Sequence, residues 1–180
     1  MDHFNKLFHF YLGPTCYNSF VMMMDAARRQ LFKHPWATFE DNLPALPGLD
    51  AVFGPSNRRS LDVISLRAEV LHRRGQYREV EAQGRLLIER AGGIENDEWQ
   101  RFYNLTRGYY FVGSALYHLG EIVGAKESFA LALWADRELC LIDDFSIFNA
   151  EKATIKRYME DMGRQETASN DNMVYDADGG

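Results

Sequence analysis

The chain has 180 residues, of which 46% are hydrophobic and 26% charged, and carries a formal net charge of −6. That is enough chain for one domain with its own core, and the acidic balance provides no bulk field to draw it onto nucleic acid. Cys16 and Cys140 belong to no CxxC or Cys/His cluster and read as free thiols, and no run of about 18 or more apolar residues predicts a membrane span.

In chain order, residues 2–11 are expected to form a short helix. A second helix is predicted from Thr15 to Lys33, with Pro14 suited to its first turn and Phe20, Met24, Ala27 and Leu31 on one face. The first thirteen residues lack the positive region and cleavage site of a leader, so an intracellular chain is expected, cytoplasmic or nuclear. From His34 to Asn57, Pro35, Pro44, Pro47 and Pro55 predict an ordered loop with one short turn around Asp50–Phe53. Ser60 is then the expected N-cap of a helix ended by Gly75, with Leu61, Ile64, Ala68 and Leu71 in a stripe. A helix over Tyr77–Ala91 follows, ended by Gly92-Gly93. A long one runs from Asp97 to Gly120, and another spans about Ile122–Leu139. Asp144 is expected to cap a last helix, Ser146–Met162, with Gly163 as its stop. The acidic tail Arg164–Gly180 is expected to be disordered. The chain thus divides into 1–57 (N-terminal helices and Pro-rich loop), 58–163 (helix pairs) and 164–180 (tail).

The stops Gly75, Gly120 and Gly163 are 45 and 43 residues apart, each closing the first helix of a pair. Superposing the first two pairs matches Ala68 with Gly113, Val80 with Ala125, Gly84 with Phe129 and Leu87 with Ala132. A fixed period of helix pairs predicts an all-α fold of stacked antiparallel hairpins, with small residues at the contacts; a helical bundle without repeats is the alternative.

Gly113, Ala125, Phe129 and Ala132 resemble the small–small–aromatic–small spacing of the tetratricopeptide repeat family. Tyr109 stands where the family prefers Trp, Val112 where it prefers Leu, and Leu116 where it prefers Tyr. The first pair matches through Ala68 and the turn Gly75–Gln83, with Gly84 in place of the aromatic. The period exceeds the family's ~34 residues, and Lys156 replaces a small residue in the last helix. The resemblance covers about residues 60–162. It implies a short right-handed superhelix with a capping helix, similar to the helical C-terminal regions of many fungal regulatory and gene-cluster proteins. It also implies a concave face lined by first-of-pair helices, here with Arg67, Arg74, Asn104 and Arg107, where another protein or an acidic or carboxylate-ended peptide would bind. A second copy of the chain is the other partner considered.

No phosphate-binding GxxxxGK[ST], GxGxxG, nucleophile GxSxG or HExxH motif occurs, and no cofactor, metal or catalytic residue is expected. His118 reads as a helix-end histidine, and Cys140 with Asp143 and Asp144 as a loose set better explained by helix capping. Three functions remain open. One is a non-enzymatic interaction module, as adaptor, scaffold or regulator. The second is a small enzyme or ligand binder with a pocket under residues 34–57 lined by Trp36, Phe53, Tyr103 and Tyr110. The third is a transcription-related regulator using the arginines of 58–90, although nucleic acid is disfavoured by net charge. Glu69–Arg73 and Glu81–Arg85 offer those arginines partners one helical turn away.

Overall fold

Helix follows helix throughout the computed structural model, which describes residues 46–142 and 148–177; all their regular structure is helical. The elements are α1 (Leu46–Phe53), α2 (Arg58–Arg73), α3 (Tyr77–Gly92), α4 (Glu98–His118), α5 (Ile122–Ile142) and α6 (Asn149–Ala177). Connections of three residues join α2 to α3 and α4 to α5, and so short a link forces each pair to fold back on itself. Both links are closed in the same way. Gly75 and Gly120 have φ of 72° and 80°, which glycine adopts without the Cβ penalty. The N–H groups of Gln76 and Glu121 then donate to the carbonyls of Leu71 and Leu116, satisfying otherwise orphaned acceptors.

The core is a chain of overlapping clusters rather than one centre. Phe53 of α1 packs on Leu61, Ile64 and Leu87 of α2 and α3. Ala68, Leu71 and Val80 meet Phe111 and Ala115 of α4. Ala91, Leu105 and Ala135 link α3, α4 and α5. Val112, Leu116, Ala125, Phe129 and Ala132 meet Ile155, Tyr158 and Met162 of α6. Each helix therefore packs on its sequence neighbours, and α4 also touches both α2 and α6. The expected packing residues Ala68, Val80, Leu87, Gly113, Ala125, Phe129 and Ala132 are all buried, and Tyr109 is half-buried.

Two contacts are unusually close. A Cβ on Gly113 would lie 2.7 Å from Cδ1 of the Phe129 ring, so the ring lies directly on the α4 backbone. A Cβ on Gly84 would lie 3.0 Å from the Gly108 carbonyl oxygen, and one on Gly108 would lie 3.1 Å from the Gly84 carbonyl oxygen. The superposition that equates Gly84 with Phe129 therefore fails at that contact. Phe129 lies on Gly113 of its own pair and also stacks on Tyr158 of α6, whereas the nearest neighbours of Gly84 all belong to the next helix, α4.

Several boundaries differ from expectation. Residues 46–53 are a helix rather than a loop with one turn, because Pro47 falls in the first turn, where no N–H is needed. The α2 N-cap is Asn57, whose side chain accepts from the Arg59 N–H, while Ser60 lies inside the helix and its hydroxyl donates to the Gly54 carbonyl. Helix α5 continues to Ile142. Helix α6 runs through Gly163 to Ala177, where a stop and a disordered tail are expected. Gly163 does not take the positive φ of Gly75 and Gly120, and Gln165, Glu166 and Ala168 are good helix formers. The helices expected at 2–11 and Thr15–Lys33, and the cap at Asp144, lie outside the described residues.

Candidate functional site

The residues expected to form a binding face separate into two groups. Arg67 lies on α2 and Arg74 caps its C-terminal end, four residues before and three after Leu71, and both are half-buried. Leu71 packs in the cluster that holds Phe111 of α4. Arg107, one turn before Phe111, is also half-buried. Its guanidinium lies 5.7 Å from the Phe111 ring centre and 6.0 Å from that of Tyr103, and its Nη1 donates to the Tyr103 hydroxyl at 3.3 Å. Tyr103 in turn stacks on Trp99 with ring centres 5.1 Å apart. Trp99, Tyr103, Arg107 and Phe111 thus form a ladder at four-residue intervals along α4. The spacing is visible in the sequence, but the stacking is not.

Asn104 does not belong to this face. It is only 2% exposed, and its side-chain amide donates to the Gln100 carbonyl one turn back. A short amide buried inside a helix bonds its own backbone when no other partner is within reach. Arg67 and Arg74 each already take part in an interaction within the chain.

The aromatic residues expected around a pocket are also distributed. Phe53 packs in the α1–α3 cluster, Tyr103 tilts against Phe148, and Tyr110 packs on Phe111. Trp36 lies outside the described residues. Burial, the largest cause, pushes the Tyr110 hydroxyl up to about 12, with smaller contributions from Tyr158 and nearby carboxylates. It stays protonated at neutral pH.

A second cluster, unforeseen in the sequence, joins α2, α4 and α6 at one end of the stack. His72 Nε2 and the Ser114 hydroxyl share a hydrogen bond of 2.6 Å. Tyr77 stacks on His118 with ring centres 4.2 Å apart, and His118 Nε2 lies 3.2 Å from the Tyr158 hydroxyl. The Tyr117 hydroxyl donates to Asp161, which raises its pKa. Burial lowers the pKa of His72, and burial together with the nearby His72 lowers that of His118. Both imidazoles and the hydroxyls of Ser114, Tyr117 and Tyr158 are engaged by a group of another helix. The arrangement therefore fastens α2, α3, α4 and α6 to one another and favours neutral imidazoles. One signal was available: His72 and Tyr117 both stand three residues before their glycine stops.

The arginines of 58–90 are largely engaged by their own chain. Arg73 pairs with Glu69 and Arg85 with Glu81, each at 2.8 Å. Arg59 lies over Phe53, and Arg78 reaches Glu121 at 3.3 Å. Arg90 makes a two-pronged bond to Asp50 at 2.8 and 2.9 Å, tying α1 to α3. Burial alone would raise the Asp50 carboxyl, but the bonds from Arg90 and Ser60 outweigh it, and the net shift is downward.

Among the described residues, no group of three or more His, Cys, Asp or Glu side chains is placed to hold a metal ion. Cys140 is a half-buried free thiol; Asp143, Asp144 and Cys16 lie outside the described residues. No described helix is long and apolar enough to cross a membrane. No protein-family model, curated protein or solved structure matches the chain.

Proposed function

We propose that the chain is a non-enzymatic interaction module of tetratricopeptide-like design, acting as an adaptor or regulator within the cytoplasm or nucleus. The face formed by α2 and α4 would bind an extended acidic segment or a free C-terminal carboxylate. The observation that carries this reading is Arg107, held half-buried over Tyr103 and Phe111, with Phe111 in one cluster with Leu71, which Arg67 and Arg74 bracket at four and three residues along the chain. A guanidinium placed by aromatic rings loses little further freedom when it grips a carboxylate, and its planar fork fits two oxygens. With five N–H donors, Arg67 and Arg74 can add a ligand carboxylate to the interactions they already make. The recurrence of glycine-closed hairpins and the contacts among α2, α4 and α6 support the repeat-like part of the reading.

The test is a calorimetric titration with a panel of short acidic peptides, each with a free and an amidated C-terminus. Arg107→Ala is expected to weaken capture by roughly tenfold, the scale of one charge-assisted bond. Binding that ignores the arginine, the peptide charge and the terminal carboxylate alike would remove the proposal.

A further inference from the structure

Among the described residues, helix α5 buries one side and exposes the other, where Trp134 meets the Phe102 ring of α4 edge-on with ring centres 5.8 Å apart. Ala125, Phe129, Ala132, Ala135 and Leu139 face the core. On the opposite side Val123, Glu127, Ala130, Trp134, Arg137 and Leu141 are all exposed, spaced alternately by four and three residues. Val123 is 71% exposed, Trp134 44% and Leu141 77%, and Leu131 and Ile142 border the same strip. A sustained alternation of four and three is the spacing by which one helix packs lengthwise along another. An exposed strip of this kind, apolar at its ends and middle with one acid and one base between, marks an interaction surface.

The strip is complementary to itself in one orientation. We propose that α5 is the two-fold interface of a homodimer in which two copies of the helix lie antiparallel along their exposed sides, with the two-fold passing between Ala130 and Trp134 at the level of Ala132. Val123 and Leu141 stand nine residues either side of Ala132, Glu127 and Arg137 five, and Ala130 and Trp134 two. The two-fold therefore sets Val123 of one copy against Leu141 of the other, Glu127 against Arg137, and Ala130 against Trp134. Each layer is matched: apolar with apolar, acid with base, and the smallest residue beneath the largest. Every layer occurs twice by symmetry, so the seam runs about 27 Å along each helix. A parallel pairing in register would instead oppose Glu127 to Glu127 and Arg137 to Arg137, which is repulsive in both layers. Charge thus selects the antiparallel arrangement and a second copy as the occupant. This surface is separate from the α2–α4 face, so the inference does not rest on the peptide-binding reading.

The test is sedimentation velocity on the full chain over a concentration series, with the same runs on R137E and on E127R/R137E. A dimer is expected for the unaltered chain. R137E is expected to loosen it at least about tenfold, by setting acid against acid in two symmetry-related layers. The double exchange is expected to restore it, because the opposite charges meet again. A chain that stays monomeric at about 100 μM overturns the proposal, whether the strip is bare or covered by residues 1–45 of the same chain. So does a dimer indifferent to R137E, or one that the double exchange fails to restore. R107A is expected to leave the dimer intact and R137E to leave peptide capture intact, so the two readings fail separately.

Discussion

Two glycine contacts hold this stack together, and they are built differently. Between α4 and α5, Gly113 makes room for a side chain, the fully buried ring of Phe129. Between α3 and α4, Gly84 and Gly108 make room for side chain and backbone together: a Cβ on Gly84 would meet Val112 Cγ2 at 2.8 Å and the Gly108 carbonyl oxygen at 3.0 Å, and one on Gly108 would meet Ile88 Cγ1 at 2.7 Å and the Gly84 carbonyl oxygen at 3.1 Å. The first contact can adapt, since a ring can tilt or be replaced. The second adapts less, since beside the Val112 and Ile88 side chains the backbones of the two helices also stand in the way. Close helix packing in one small fold thus rests once on a ring alone and once on side chains and backbone together.

The largest expected effect is Phe129→Ala. Removing a buried ring should cost about 3–5 kcal/mol, read as a lower midpoint in urea unfolding. Gly113→Ala then sharpens the contrast. Alone it should destabilise, because the new methyl meets the ring at 2.7 Å. In the Phe129→Ala background the penalty should vanish or reverse, leaving the ~1 kcal/mol by which alanine favours a helix over glycine. Gly84→Ala comes next, with a net loss of about 1–3 kcal/mol despite the same helix gain. Val112→Ala should rescue only part of it, because it removes the Cγ2 that the new methyl would meet at 2.8 Å while the Gly108 carbonyl oxygen and the Val112 amide nitrogen remain at 3.0 and 3.1 Å. Full rescue by Val112→Ala would show that α3 and α4 are not limited by backbone contact.

Arg90→Ala tests the α1 end of the stack. It leaves Asp50 without its two-pronged partner, and about 1–3 kcal/mol should be lost. Loss of protection in amide exchange should be greatest in Leu46–Phe53. The smallest effect concerns pH. His72 and His118 have folded-state pKa values below the ordinary 6.5. The unfolded chain therefore takes up more protons than the folded one as pH falls through that range. Their contribution to stability is present above about 6.5 and declines on acidification towards the folded values. Unfolding midpoints should drop between pH 7.5 and 5.5, and His72→Gln, which can still bond Ser114, should flatten the slope. An unchanged slope in that variant would place the dependence elsewhere.

Much of the helical framework was legible along the chain. The periodic apolar faces and glycine stops marked α2 to α5 within a few residues, because those signals act within one or two turns. The burial of Gly113 beneath Phe129 was also readable, because it lies within one hairpin. The pairing of Gly84 with Gly108 was not, since the 45-residue superposition assigned Gly84 the role of an aromatic and nothing local marked Gly108 as its counterpart. Asn104 was misplaced for the same reason: a helical wheel gives a residue's direction but not what lies over it. The hydrogen bond between His72 and Ser114 likewise links positions 42 residues apart.

The sequence by itself determined where the helices run, where the chain reverses and which residues are apolar enough to be buried, because those choices follow from backbone sterics and side-chain chemistry over short range. Only the tertiary structure decided which faces meet. It set two glycines backbone to backbone, engaged most of the arginines of 58–90 within the chain, stacked Arg107 on two rings and left one side of α5 uncovered. Those outcomes depend on the relative placement of whole helices, which arises from many weak long-range contacts at once and leaves no mark in any short stretch of chain.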